Sequence, residues 1–300
     1  MEQYYHDFGT WIRKQLPFRV QKISIDAGFT CPNRDGKIGV GGCIFCDNKS
    51  FNPSYCSHRK SITEQLEDGK HFFAKKYPDM KYLAYFQAYT NTYDTVDKLK
   101  QLYEEALKVE DVVGIVIGTR PDCVSSELLD YLEELNKRTF LIVEYGIESC
   151  NDDTLRFINR GHDFACTRKA VEETAKRGIY VGGHVIMGLP GEDASESLRQ
   201  APIISSLPLT MLKIHQMQII KGTRLAKIYK EKPFHLYTVE EYIDLITKYI
   251  RLLRRDLVLE RFVTQSPSEM LVAPKWGLKN YEFTNLLNKR LREEGLHLKV

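Results

Sequence analysis

The 300-residue chain has no long hydrophobic run. Its longest apolar stretches, such as Val112–Gly118, fall far short of the roughly 20 residues that cross a bilayer, so no membrane partner is expected. The opening residues, MEQYYHDFGTWIRKQLPF, hold no basic stretch followed by an apolar one, so they do not read as a signal peptide. There is no internal repeat, no low-complexity tract and no obvious linker. A strong charge of one sign is also missing. The net of +3 permits an anionic partner without demanding one. These absences make a cytoplasmic protein the expectation. An apolar fraction of 43% and a charged fraction of 28% suit an ordinary globular core, in one large domain or two small ones.

Cysteine is present in an odd number, seven, and a cytoplasmic setting disfavours disulfides. Four of the seven fall in CPNRDGKIGVGGCIFCDNKSFNPSYC, from Cys31 to Cys56. Cys43 and Cys46 are separated by two residues, a spacing that places two thiolates on one metal or one cluster. Cys31 precedes the pair and Cys56 follows it. Four thiolates suit structural zinc, whereas three leave one iron of a [4Fe–4S] cluster open. Spacing alone leaves both readings standing.

Six apolar, strand-like runs recur: Val20–Asp26, Tyr82–Ala88, Val112–Gly118, Phe140–Ile147, Ile179–Met187 and Met211–Ile219. Helical patterns separate them at Thr95–Lys108, Ser125–Asn136, Phe164–Arg177 and Ala194–Ser206. Six strands alternating with helices imply a parallel sheet covered by helices, as an open sheet or a barrel. In either form, chemistry gathers at the C-terminal strand ends. Polar or glycine-rich sequence follows every run: Cys31, then Gln87 with Thr90, Asn91 and Thr92, then Thr119 with Arg120 and Asp122. Glu144 and Glu148 end the fourth run, Gly188–Glu192 follow the fifth, and Gln218, Lys221 and Thr223 follow the sixth.

Position favours a reactive centre over structural zinc, because the cysteines follow the first strand directly. Gly36, Gly39, Gly41 and Gly42 loosen the loop so that it can wrap an inorganic core, and Phe45 can shield one. Glu144, Gly146 and Glu148 share a strand face by the period of two, as do Lys213 and His215. A buried carboxylate is costly unless paired, which points to function. After about Lys230 the pattern changes to a long amphipathic helix over Tyr237–Leu253, with Thr238 and Glu241 as a capping box, and one more strand at Val258–Val263. The tail from Lys275 is rich in Lys and Arg, which a solvated helix face explains as well as a nucleic-acid patch. Arg251, Arg254, Arg255 and Arg261 are further candidates for phosphate contact.

The segments CPNRDG…GGCIFC, YFQAYTNTY, GTRPDC, VEYGIES, NRGHD, HVIMGLPGE and KIHQMQIIKGT together resemble the radical S-adenosylmethionine (SAM) superfamily. The likeness is to its YhcC/YtqA-type branch, related to the elongator-like radical SAM proteins. The long first cysteine gap departs from most of the superfamily and matches this branch. The resemblance implies an α/β fold, a partial (β/α)6 TIM-like barrel of parallel strands over residues 1–235 with the cluster loop at 26–58. A mostly helical C-terminal extension would follow over 236–300.

It further implies that Cys31, Cys43 and Cys46 ligate a [4Fe–4S] cluster whose open iron binds SAM, generating a 5′-deoxyadenosyl radical. Gln87, Thr90, Asn91, Thr92, Glu148, Ser149, Gly188, Pro190, Gln218 and Ile219 would bind the cofactor, and Glu144, Lys213 and His215 would serve catalysis. The implied partners are tRNA and an electron donor such as flavodoxin or ferredoxin. The implied reaction takes carboxymethylaminomethyl-uridine towards aminomethyl-uridine at the tRNA wobble position. Two other readings stand beside it: a radical SAM enzyme acting on a small metabolite or protein, and a non-catalytic zinc scaffold using Cys31, Cys43, Cys46 and Cys56. Cys123, Cys150 and Cys166 are scattered and read as small buried residues rather than a second cluster.

Overall fold

The computed structural model describes residues 4–74 and 79–297. The strands are β1 (His6–Asp7), β2 (Val20–Ile25), β3 (Lys81–Phe86), β4 (Val112–Thr119), β5 (Phe140–Glu148), β6 (Tyr180–Met187), β7 (Met211–Gln216), β8 (Ile219–Ile220), β9 (Val258–Arg261) and β10 (Leu271–Ala273). The helices are α1 (Phe8–Gln15), α2 (Ile62–Phe73), α3 (Val96–Leu107), α4 (Ser126–Asn136), α5 (Asp152–Phe157), α6 (Phe164–Ala175), α7 (Ala194–Ser206), α8 (Arg224–Glu231), α9 (Val239–Leu252) and α10 (Asn280–Glu293). Helix starts follow local chemistry. Thr95, Ser125, Asp163 and Asp193 each accept a hydrogen bond from a first-turn backbone N–H, and Thr238 with Glu241 forms the expected capping box.

Eight strands pair in parallel in the order β1-β9-β7-β6-β5-β4-β3-β2, and the sheet curls into a half-barrel. The six expected strands are β2 to β7, with the last run dividing into β7 and the short β8. The six-stranded expectation is thus extended by two. β9 comes from the segment after residue 236 and pairs with β7; β1 pairs with β9. Two residues are too few for an alternating pattern, so β1 left no trace in the sequence. β8 and β10 make a separate antiparallel pair.

Alternation along the strands sorts side chains into two layers. Tyr82, Ala84 and Phe86 of β3 face the helices in the main core, whereas Leu83 and Tyr85 face inward. The inner layer joins Leu83, Tyr85, Val116, Ile142, Met211 and Val258 to Ile12 of α1, with Phe8 and Trp11 packed against it. Trp11 meets the Tyr180 ring edge-on, 5.1 Å between centroids. Helix α1 therefore plugs the N-terminal end of the half-barrel and leaves the C-terminal end open.

The outer layer is tightest where α2 crosses β2. Gly69 is buried, and a Cβ there would lie 2.3 Å from Ile23 Cγ2. Gly69→Ala therefore sets a helix-propensity gain of about 1 kcal/mol against overpacking of about 1–3 kcal/mol. Thermal denaturation is expected to show a lower midpoint for Gly69→Ala, with part of the loss recovered when Ile23→Ala is added.

Candidate active site

At the open end of the half-barrel lies a cavity of about 260 Å³. Its wall carries Cys31, Cys43 and Cys46 from the loop after β2, Gln87 and Thr90 after β3, Glu144, Gly146 and Glu148 from β5, His184 from β6, His215 from β7, then Gln218 and Arg261. Tight turns present the cysteines: Arg34 N–H donates to Cys31 O at 2.8 Å, and Cys46 N–H to Cys43 O at 3.0 Å. The loop is pinned from outside. Asn33 Nδ2 donates to Asn159 O at 2.5 Å, Asn159 Nδ2 to Gly42 O at 2.8 Å, and Ile44 N–H to Ile158 O at 3.0 Å.

Two cations stand against the thiols. Buried Arg160 donates through Nη1 to Cys43 Sγ at 3.5 Å and through Nη2 to Gly146 O at 2.7 Å, and it faces Glu148 at 3.4 Å. Arg34 Nη2 donates to Cys46 O at 2.8 Å. Gly146 has no side chain in the way, since a Cβ there would lie 2.6 Å from Arg160 Nη2. Burial and the neighbouring Cys43 push the Cys46 thiol up to about 11. Arg120 grips Asp122 through two hydrogen bonds of 2.9 and 2.7 Å and donates to Arg160 O at 2.7 Å.

Beneath the cavity, the inward face of the strands carries an ionic layer. Lys213 Nζ lies 2.7 Å from Glu144 Oε2 and 3.4 Å from Glu260, and it donates to Tyr85 Oη at 3.2 Å. Lys22 Nζ lies 2.9 Å from Glu144 and 2.7 Å from Glu260. His184 Nε2 sits 3.0 Å from Glu144 Oε2. Two lysines balance two glutamates. Burial alone would raise the Glu144 carboxyl, but Lys213 and Lys22 outweigh it and hold it well below the usual range. Burial lowers the pKa of both His184 and His215, leaving neutral imidazoles whose rings lie 5.5 Å apart.

The residues singled out in the sequence divide by location. Cys31, Cys43, Cys46, Gln87, Thr90, Glu144, Glu148, His215 and Gln218 line the cavity. Ser24 Oγ occupies the Gln87 carbonyl at 2.8 Å, leaving the Gln87 amide nitrogen for a ligand. A register shift between Gly146 and Glu148 breaks the simple alternation, with Glu148 at φ +65°, and both residues still reach the wall. The others stand behind it. Lys213 belongs to the ionic layer. Asn91 Nδ2 donates to Gly118 O at 2.7 Å, and Thr92 Oγ1 donates to Cys123 O at 2.6 Å. Ser149 bonds to Glu192, Gly188 forms a turn at φ +82° followed by buried Pro190, and Ile219 pairs with β10. Cys56 lies outside the cavity, packed against the outer core, with its thiol pushed up to about 12 by burial and by Asp26. Lys22, His184, Glu260, Arg34 and Arg160 had no role assigned from sequence. The signal available was a lone charged residue or histidine in an apolar run, and the arginine of NRGHD.

The donor set suits an anionic inorganic core. Three soft thiols share one cavity with Arg34, Arg120, Arg160 and Arg261, and buried Arg160 Nε and Arg120 Nη1 have no protein partner. A single tetrahedral zinc would draw its thiolates to within about 4 Å of one another. Among the described residues, no three His, Cys, Asp or Glu side chains are placed to hold a single ion. Among the same residues, no helix is long and apolar enough to cross a membrane.

This chain belongs to the Radical SAM superfamily: the superfamily model matches residues 31–199, and the Radical_SAM C-terminal domain matches residues 209–293. It is similar to YtqA of Bacillus subtilis, 35% identical over 294 residues, covering 98% of this chain and 91% of that protein. YhcC of Escherichia coli K12 is also 35% identical, over 96% of this chain and 93% of its own length. A tRNA uridine(34) acetyltransferase of Methanocaldococcus infernus is 27% identical over 201 residues, which span 64% of this chain and 36% of that protein. Among solved structures, archaeal Methanocaldococcus infernus Elp3 with an N-terminal deletion has the same fold. The TM-score is 0.71 at 19% identity, over 93% of this chain and 64% of that one.

Removing Glu144 leaves two buried lysines, Lys22 and Lys213, to share the single carboxylate of Glu260. Glu144→Ala is expected to cost about 3–5 kcal/mol in urea unfolding at neutral pH. Because the folded-state pKa of Glu144 is depressed, its contribution is complete above the unfolded value of about 4.3 and fades as pH falls through the folded value. The gap between wild type and Glu144→Ala should therefore narrow only in acid. A gap that is constant with pH would contradict the ionic account.

Proposed function

We propose that this chain is a tRNA-modifying radical enzyme, acting on the side chain at carbon 5 of the wobble uridine. The step assigned to it takes carboxymethylaminomethyl-uridine towards aminomethyl-uridine. The observation that carries the reading is the cavity where three thiols, four arginines and the Gln87, Glu148 and Gln218 side chains meet. Relatives named as tRNA uridine(34) acetyltransferases support the substrate class.

When bound, a [4Fe–4S] cluster with SAM supplies the one-electron chemistry that makes a hydrogen-abstracting radical. In this reading Cys31, Cys43 and Cys46 hold the cluster, while Arg160 and Arg34 offset thiolate charge in a site of low dielectric. Gln87 and Thr90 orient the amino-acid end of SAM, Glu148 accepts from its ribose hydroxyls, and Gln218 borders the opposite wall. Asn91, Thr92, Ser149, Gly188, Pro190 and Ile219 set the backbone that carries these groups. His215 and Glu144 form the floor facing the substrate. Lys213 and Lys22 act through Glu144 as positioning residues, keeping that carboxylate ionised and fixed. Phe45 in the wall helps exclude water, which a radical reaction requires. An electron donor such as flavodoxin or ferredoxin would deliver the electron, in the cytoplasm.

Nucleoside mass spectrometry on bulk tRNA from matched strains with and without the gene tests the reading. Carboxymethylaminomethyl-2-thiouridine is expected to accumulate in the deletion, to clear with the wild-type gene and to persist with Cys43→Ala. Unchanged wobble nucleosides would overturn the tRNA assignment and move the search to metabolites and proteins.

A further inference from the structure

Residues 221–232 hold Lys221, Arg224, Lys227, Lys230 and Lys232 against Glu231 alone. This one strip carries more positive charge than the whole chain's net of +3. All five basic side chains are exposed, and among the described residues none has an ion-pair or hydrogen-bond partner. Other cations are paired with acids, as Lys137, Lys176, Arg177 and Arg290 are, or stand exposed and unpaired without such a cluster, as Lys49, Lys169 and Lys248 do. On α8 the buried Leu225 turns inward, while Arg224, Lys227 and Lys230 turn to solvent.

The strip begins at the cavity. Ile220, which immediately precedes Lys221, lines its wall, and Leu225 N–H donates to Ile44 O at 2.8 Å, tying α8 to the stretch between Cys43 and Cys46. Two aromatic side chains stand open in the same wall, Tyr89 at 38% exposure and Phe51 at 37%. Tyr89 is held at φ +59°, a left-handed conformation costly for a bulky residue, and the Arg34 guanidinium lies 5.5 Å from its ring.

We infer that the 221–232 strip, together with the Tyr89–Arg34–Phe51 rim, is the docking surface for a structured RNA. Its phosphates lie along Lys221, Arg224 and Lys227 while one splayed nucleotide enters the cavity past the aromatic rim. Unpaired Lys and Arg match phosphates, and open ring faces stack on unpaired bases. An acidic electron-carrier protein would match the charges but would leave the rim aromatics without a purpose. The inference rests on the tRNA reading and assigns it a surface.

The test compares anaerobically purified holoprotein in three forms: wild type, a Lys221→Gln/Arg224→Gln/Lys227→Gln variant, and a Lys137→Gln/Lys176→Gln/Lys289→Gln control. Binding of bulk tRNA is followed by fluorescence anisotropy across a salt series, with iron content and melting temperature confirming intact protein. The strip variant is expected to bind about tenfold more weakly, with a log–log salt slope shallower by about 2 for three lost phosphate contacts. The control should stay within about twofold of wild type. Equal binding by wild type and the strip variant, or equal loss in the control, overturns the surface while leaving the tRNA reading intact. A wild type that binds tRNA without salt dependence overturns the surface, and one that does not bind tRNA at all overturns both. A strip variant that keeps tRNA but loses affinity for flavodoxin assigns the strip to the electron carrier and overturns the inference.

Discussion

The contact on which the rest of the site depends is the Lys213–Glu144 pair at 2.7 Å, with Lys22 and Glu260 closing the group. It sits in the half-barrel between an apolar plug and an open cavity. Below it, Trp11, Ile12, Ile142 and Met211 fill the N-terminal end. Above it, the walls turn polar and the thiols gather. Buried charges in such a place are tolerable only when matched, and the match joins four strands, β2, β5, β7 and β9. Sheet register and site geometry are therefore one constraint. A one-residue slip in any of these strands would turn its charged side chain out of the layer.

The same inward parity continues upward as far as the register shift after Gly146, beyond which Glu148 still reaches the cavity. Along β5, Ile142 belongs to the apolar filling, Glu144 to the ionic layer, and Gly146 and Glu148 to the cavity. Along β7 the series is Met211, Lys213, His215. Each strand thus delivers packing, charge balance and ligand-facing groups in sequence. The cysteine loop is hung on this frame by contacts with residues 158–160 and with α8, so its thiols are placed by the barrel rather than by the loop's own glycine-rich sequence.

Much of this was legible in the sequence because the strands are apolar runs buried on both faces and the helices start at recognisable caps. Ala194–Ser206 coincides with its expected bounds, and the Thr238–Glu241 box forms as read. What was not legible depends on distance. Lys22, His184 and Glu260 sit in strands where nothing local marks a partner, and only the fold shows that they surround Glu144. Spacing could not separate Cys56 from the other three thiols, because the chain turns away after the 48–50 turn and carries Cys56 to the outer core. The N-terminal plug was missed altogether, since α1 is short and β1 has two residues. The resemblance implies a catalytic role for Lys213; the structure puts it one layer below the cavity, where its partner is Glu144.

The central claim is that Cys31, Cys43 and Cys46, without Cys56, hold a four-iron cluster with one iron free for SAM. Anaerobic reconstitution followed by iron, sulfide and zinc analysis, with electron paramagnetic resonance of the reduced protein, tests it most directly. The account predicts iron and sulfide in the ratio of a [4Fe–4S] cluster in both wild type and Cys56→Ala, with a resonance signal that changes when SAM is added. Bound zinc that disappears in Cys56→Ala, with no iron signal in the wild type, would contradict it.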